Sequence, residues 1–307
     1  MVWWKRTRIY LFPILNMRKF ISNIFVFIIS GIIYSTGIII VNYSIIKLYT
    51  SPQLVNSDIL ILGDSYTKHA VNPNLFKSAK NYSKEGEPYI LTFWKLKYLS
   101  KKTKAKKIIL SLSHQNIAEY NDLKFSDEKW SDEMMLRSYS IGNIFEVHKF
   151  SIISYVRTIV RQMLILPHLK HFKFLGNYSK NNTSNLTNID DVINTRFYYK
   201  NLSLNLSQQS INYLDSIIVY CDKKNIDLFL IETPVHKDYF KKIPLNIRDS
   251  YETLVQEKIE EGVYIYRNSI EYVDSLFLNA DHINYDGSIK YTKQLILDLN
   301  FESKSDK

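Results

Sequence analysis

A serine, a histidine and groups able to orient that histidine stand at two distant points of this chain. Ser65 follows an apolar run and a glycine in Asp58-Ile59-Leu60-Ile61-Leu62-Gly63-Asp64-Ser65-Tyr66-Thr67. His282 lies in Leu278-Asn279-Ala280-Asp281-His282-Ile283-Asn284-Tyr285-Asp286-Gly287, just ahead of the last helical pattern. A serine hydroxyl is a poor nucleophile until a base takes its proton, and histidine is the usual base. Acyl transfer also needs donors aimed at the developing oxyanion. The backbone N–H of Ser65, the backbone N–H of Gly86 and the side chain of Asn116 are the candidates, with Gln115 as an alternative to Asn116. Asp64 is read as a brace for the turn rather than a chemical participant. A structural reading stands beside this one, because Asp and Ser are ordinary N-cap residues and Gly-Asp-Ser would serve as a helix start.

Other reactive side chains point elsewhere. Cys221 is the single cysteine, so no disulfide within the chain and no cysteine-based zinc site can form. It falls in an apolar helical pattern and is read as core. His114 and His236 occupy strand ends and are assigned to packing or surface. His69, His148, His168 and His171 show neither catalytic nor metal-ligand spacing. No metal and no organic cofactor is expected. No GxGxxG and no GxxxxGK[ST] is present, and only 8 glycines occur, which argues against a dinucleotide or P-loop fold.

The elements that would carry these residues alternate. Ile59–Leu62, Ile108–Leu112, Ile226–Ile231 and Val263–Tyr266 read as short buried strands. Helical patterns follow at Thr92–Leu99, at Ser207–Cys221, at Asn246–Glu261 (closed by Gly262) and at Ser288–Leu299. Thr67–Lys80 reads as a helix and loop. Strands separated by helices predict an α/β fold: a mainly parallel sheet in a three-layer α/β/α arrangement. Ser65 would then sit beyond the carboxyl end of a strand, where open α/β sheets place ligands.

Residues 120–206 break the alternation and read as a mostly helical insertion. Within it, Ile152–Leu166 is apolar with Arg157 and Arg161 one turn apart. A cap packed over the main domain is the preferred role, and contact with a membrane surface the alternative. The stretch Asn177–Asn205, rich in Asn181, Asn182, Asn185 and Asn188, reads as an insertion or long loop near the site.

Charge and hydropathy settle the setting. Net charge is +10, and Lys5, Arg6, Arg8, Arg18 and Lys19 supply half of it before residue 20. The rest is diffuse, so no nucleic-acid partner is expected. Phe20 to Ile46 carries no charged residue, and about 20 apolar residues cross a bilayer as a helix. The predicted organisation is a basic cytoplasmic segment (1–19), a transmembrane signal anchor (20–46), a connector (47–57), an extracytoplasmic domain (58–300) and a charged tail (301–307). A cleaved signal peptide would be shorter and end in small residues, whereas this stretch ends Val41-Asn42-Tyr43-Ser44. A buried soluble helix would show a polar face.

Four blocks together resemble the SGNH (GDSL-like) hydrolases, in particular their membrane-anchored, extracytoplasmic members. Gly63-Asp64-Ser65 resembles the nucleophile block and Gly86 the oxyanion glycine. Asn116 resembles the oxyanion asparagine, and Asp281-His282-Ile283-Asn284 with Gly287 the terminal block. The resemblance spans about residues 56–299, largely without 120–206. It implies a flavodoxin-like sheet and an acyl-ester hydrolase or O-acyltransferase acting on acetyl or similar esters of surface carbohydrate, with no cofactor. One departure matters. The family acid lies three residues before the histidine, and that position here is Asn279. Asp281 directly precedes His282, and adjacent side chains are expected to diverge. Either Asn279 or a backbone carbonyl orients His282 in a working dyad, or the triad is degraded. In the second case the domain would bind envelope polymer or a membrane-bound acyltransferase partner.

Overall fold

The structure, a computed structural model, describes residues 4–166, 174–184, 186, 189–268 and 270–304. His168, His171, Asn185 and Asn188 lie outside the described residues. The chain opens with one long helix, α1 (Trp4–Thr50), followed by a short 3-10 turn. The predicted connector therefore begins as helix.

The sheet is built on two apolar runs. β1 (Ile59–Leu62) and β3 (Lys107–Ser111) lie side by side in parallel, Ile59 opposite Lys107 and Leu62 opposite Leu110. Leu60, Ile61, Leu62, Ile108, Ile109 and Leu110 are all fully buried, as a strand covered on both faces requires. β2 (Ala79–Asn81), β6 (Asp227–Ile231) and β7 (Ile265–Tyr266) complete a parallel sheet in the order β2-β1-β3-β6-β7. β2 falls in a stretch read as helix and loop; it is an edge strand of three residues, too short to show an alternating pattern.

Strand periodicity divides the core. Leu60, Leu62, Ile108, Leu110 and Leu230 face α3 (Tyr89–Ser100), α9 (Gln208–Lys223) and α11 (Leu245–Glu260). Cys221 is buried on this side, as its helical pattern suggested. Ile59, Ile61, Ile109 and Ile231 face α12 (Tyr285–Asp298) and the short α2 (Ser65–Ala70). The result is the three-layer α/β/α arrangement expected from the alternation.

Between β3 and α9 lie α4 (Tyr120–Ser126), α5 (Glu128–Ile141), α6 (Ile144–Val147), α7 (Ile152–Leu164) and α8 (Ile189–Phe197), then a small hairpin, β4 (Tyr198–Tyr199) with β5 (Leu202–Ser203). Phe125, Met134, Met135 and Val147 pack with Ile90 and Leu91 of α3. Ile193 and Phe197 of α8 pack with Tyr239 of α10 (Lys237–Lys242) and with Ile243 and Ile247. Part of the stretch expected as a long loop is thus ordered into α8 and the hairpin.

The sheet order reverses between β1 and β3, since β2 lies outside β1 and β6 outside β3. The connections leave in opposite directions there, the kind of switch point at which open α/β sheets place their ligands. Ser65 follows β1 and Asn116 follows β3, so both stand at that switch point.

His114, in the turn after β3, stacks on Tyr251 of α11 with ring centroids 4.1 Å apart. Burial pushes its imidazole down to about 4. The unfolded chain therefore binds more protons than the folded one from about pH 6.5 down to about pH 4. This histidine's contribution makes stability rise with pH across that window and adds no slope above it. His114→Phe is expected to flatten the melting-temperature profile by up to about one proton's worth of slope. Thermal unfolding of parent and variant at pH 4 to 8 measures it, and identical slopes would contradict the assignment.

Candidate active site

Gly63 ends β1 with φ +114, a left-handed backbone that a side chain would strain. A Cβ there would also meet Ser111 Oγ at 2.7 Å, so only glycine lets the two strand ends come so close. Asp64 then caps α2, its Oδ1 accepting from Tyr66 N–H at 3.0 Å. Ser111 Oγ donates to the same oxygen (3.2 Å), and Asn116 Nδ2 donates to Oδ2 (2.8 Å). Asp64 is 2% exposed, and burial raises its pKa while these donors and the charges of Lys124 and His282 oppose the rise. Asp64 thus acts as a brace, and it ties the ends of β1 and β3 together.

Ser65 is the first residue of α2, and His282 comes to it from a sequence separation of 217 residues. His282 Nε2 lies 2.7 Å from Ser65 Oγ. The histidine is set by a tight hairpin: Phe277 bridges Ile283, and the Leu278 N–H donates to the His282 carbonyl at 2.9 Å. Asn279 turns its side chain inward, where Oδ1 accepts from the backbone N–H of His282 (2.9 Å) and of Asp281 (3.3 Å). Those two donors fix which end of the amide faces inward. The same oxygen lies 2.9 Å from His282 Nδ1.

Asp281 corrects an expectation. Its Oδ1 also lies 2.9 Å from His282 Nδ1, although the residues are neighbours and their side chains were expected to diverge. The hairpin supplies the reason: the N–H groups of Leu278 (2.9 Å) and Asn279 (3.3 Å) both donate to the His282 carbonyl, closing a turn tight enough for neighbouring side chains to meet. Asp281 is 1% exposed. Burial alone would raise its pKa, but the charge of His282, the hydrogen bond to it and the charge of Arg196 hold the carboxyl below its ordinary range. Both neighbours of Nδ1 are acceptors, so Nδ1 carries the hydrogen. Nε2 is then left with a lone pair facing Ser65, the tautomer a general base requires.

The oxyanion candidates converge less directly. The Ser65 and Gly86 backbone N–H groups have no hydrogen-bond acceptor among the described residues. Asn116 gives one amide proton to Asp64, leaving its second proton free of that bond. Gln115 instead accepts from Tyr66 Oη at 3.4 Å. The turn holding Gly86 is clamped from several sides. Lys84 N–H donates to the Gly63 carbonyl (3.0 Å), and Lys68 of α2 pairs with Glu85. Fully buried Lys95 of α3 pairs with fully buried Glu87 at 2.5 Å. Breaking such a pair from one side costs about 3–5 kcal/mol.

Several contributors carried no sequence signal. Lys124 of α4 donates to the Gly86 carbonyl (3.1 Å) and to Asn121 Oδ1 (2.7 Å). Asn121 Nδ2 donates in turn to the carbonyls of Gln115 (2.7 Å) and Asn116 (3.0 Å). One lysine thereby joins the two turns that hold the oxyanion candidates. Burial, with the nearby charge of Arg196, lowers its ammonium to about 7. His69, set aside for its spacing, packs its ring 5.0 Å from that of His282 and reaches Glu85 at 3.7 Å. His236 caps α10 and faces Asp274 at 3.2 Å, a structural role as expected.

No family model matches the chain, and no curated protein matches it. Among solved structures, a Bacteroides fragilis protein provisionally described as an acylhydrolase is similar at 9% identity and a TM-score of 0.39, covering 82% of this chain and 93% of that one. At that distance the likeness assigns no chemistry to this chain.

The two groups on Nδ1 can be separated. Asp281→Asn keeps the shape but removes the charge that stabilises an imidazolium. It is expected to lower kcat for an aryl acetate by roughly 10⁴-fold, as replacing the acid by its amide does in a serine triad. Asn279→Ala is expected to cost less. The reverse ranking would make the amide, and not the carboxylate, the group that supports His282.

Proposed function

We propose that this chain is a membrane-anchored serine acyl-ester hydrolase or O-acyltransferase of SGNH type, acting on acetyl or similar esters of surface carbohydrate. The observation that carries the reading is the contact of Ser65 Oγ with His282 Nε2 at 2.7 Å, with both available oxygens on the far side of the ring at 2.9 Å. Ser65 Oγ attacks the ester carbonyl carbon while Nε2 takes its proton. The oxyanion is received by the Ser65 and Gly86 N–H groups and the free proton of Asn116 Nδ2. As the carbon–oxygen bond to the leaving group breaks, His282 returns the proton to the departing alkoxide. Ser65 is left acylated. Water, or a second hydroxyl in the case of transfer, then attacks the acyl carbon and gives its proton to His282, which returns it to Ser65 Oγ as the acyl–Oγ bond breaks.

The degraded-triad alternative was drawn from Asn279. Asp281 offsets it, because a buried carboxylate reaches the same nitrogen that the family acid would reach. The anchor reading draws on the helical stretch Met17–Gln53, which is α1 from Met17 on together with the 3-10 turn after it and is long and apolar enough to cross a membrane. The basic residues ahead of that portion favour a cytoplasmic N-terminus, which leaves the α/β domain outside.

Full-length protein in detergent is expected to release acetate from an O-acetylated glycan. Ser65→Ala is expected to abolish that release without lowering the melting temperature. Equal turnover by parent and variant would remove Ser65 from the mechanism.

A further inference from the structure

α7 has the polarity of its faces reversed. Its most buried residues are polar: Ser154, Thr158 and Gln162 are 2–6% exposed, while Tyr155 and Ile159 beside them are half-buried against the Phe125 and Met134 cluster. Ile152, Ile153, Val156, Val160 and Leu164 point outward and are 45–72% exposed. In water a helix buries its apolar stripe and solvates the polar one. Here the polar stripe is the one held by protein. Ser154 Oγ and Ser131 Oγ of α5 are 2.8 Å apart, and Arg157 pairs with Asp132 at 2.7 Å.

The same helix is fastened to α1. Asn42, fully buried, donates through Nδ2 to the carbonyls of Gln162 (2.9 Å) and Ile165 (3.2 Å). Tyr34 Oη donates to the Leu164 carbonyl at 2.9 Å. These bonds fix the depth of α7. Counting from Phe20, about 20 residues of helix traverse a hydrocarbon core, which brings the outer boundary near Ile39–Ile40. Tyr34 and Asn42 bracket that boundary, so the carboxyl end of α7 lies at the level of the outer leaflet. The outward faces of α1 around Ile32, Ile33 and Ile40 are exposed as well, continuous in character with the apolar arc of α7.

We infer that α7 is an in-plane membrane helix, its apolar arc seated in the outer leaflet of the bilayer that α1 crosses. Positions 152, 153, 156, 160 and 164 fall within one arc at 100° per residue, and Arg157 and Arg161 border it on one side. That order suits an interfacial helix whose apolar residues enter the acyl region while Arg161, beside the Arg157–Asp132 pair, meets lipid phosphates. The occupant is therefore lipid. A water-exposed arc of this extent would be a liability, and a protein partner would have to share the depth of the α1 anchor. This role is the membrane-surface contact that the sequence leaves as the alternative to a cap, and α7 also packs on α5. Functionally, α7 gives the α/β domain a second attachment and so holds it in one orientation on the membrane.

The inference rests on α1 as the membrane span, and its test separates the two. Full-length protein with buried Cys221 replaced by alanine is reconstituted in vesicles containing phosphatidylglycerol. Single spin labels are placed through Val156→Cys or Val160→Cys, with Phe27→Cys on α1 and Glu257→Cys on α11 as references. Accessibility to oxygen is compared with accessibility to a water-soluble nickel chelate. Labels at 156 and 160 are expected to be several-fold richer in oxygen contact than Glu257→Cys and protected from nickel, at a shallower depth than Phe27→Cys. If they match Glu257→Cys while Phe27→Cys stays in lipid, α7 is not membrane-seated and the anchor stands. Protection from both reagents would show protein covering the arc and would overturn the lipid assignment. Nickel access at Phe27→Cys would overturn the anchor and the inference with it.

Discussion

Asp64 is the residue through which the candidate site is assembled. A carboxylate shut away from water must be met by donors, and its three come from three elements: the N-terminus of α2, the end of β3 and the turn after it. Satisfying that one group brings Asn116 to within one residue of Ser65 and locks the turn off β1. Gly63 makes the approach possible because a side chain there would strike Ser111. The place of the site at the switch point is therefore a consequence of parallel topology, while its fine geometry is a consequence of one buried charge.

The second constraint is the hairpin around His282. A histidine that is to accept a proton from serine must present the correct nitrogen, and acceptors on the other nitrogen enforce this. Here Asn279 and Asp281 share the task. Asn279 holds the loop shape through two backbone N–H groups as well as the ring, and Asp281 brings the charge. Shape and charge, which a single acid three residues upstream could supply together, are divided between two residues. A buried lysine performs a similar joining function on the opposite side, where Lys124 connects the Gly86 turn to the Asn116 turn through Asn121.

The fold was legible in the sequence where burial is two-sided. Ile59–Leu62 and Ile108–Leu110 are uninterrupted apolar runs because both sheet faces are covered. β2 was not legible, since three residues on an edge leave no period to read. Ser65 and His282 were legible because each stands at the junction of a strand or turn with a helix. Asp281 was misjudged because adjacency in sequence says nothing of a turn tight enough to reverse it. Lys124 was invisible: a lysine in an amphipathic helix ordinarily faces water, and only the tertiary packing of α4 over Gly86 buries it. α7 showed its apolar content in the sequence but not which side faces the protein, which depends on Ser131 meeting Ser154 and on Asn42 holding the backbone carbonyls at its carboxyl end.

These elements make one central claim, that Ser65 is an activated nucleophile. Treatment of the folded, full-length protein with a serine-reactive fluorophosphonate, followed by peptide mass spectrometry, tests it most directly. The account predicts a single stoichiometric adduct on Ser65 that is lost in His282→Ala. A protein that melts cooperatively yet forms no adduct on Ser65 would contradict it.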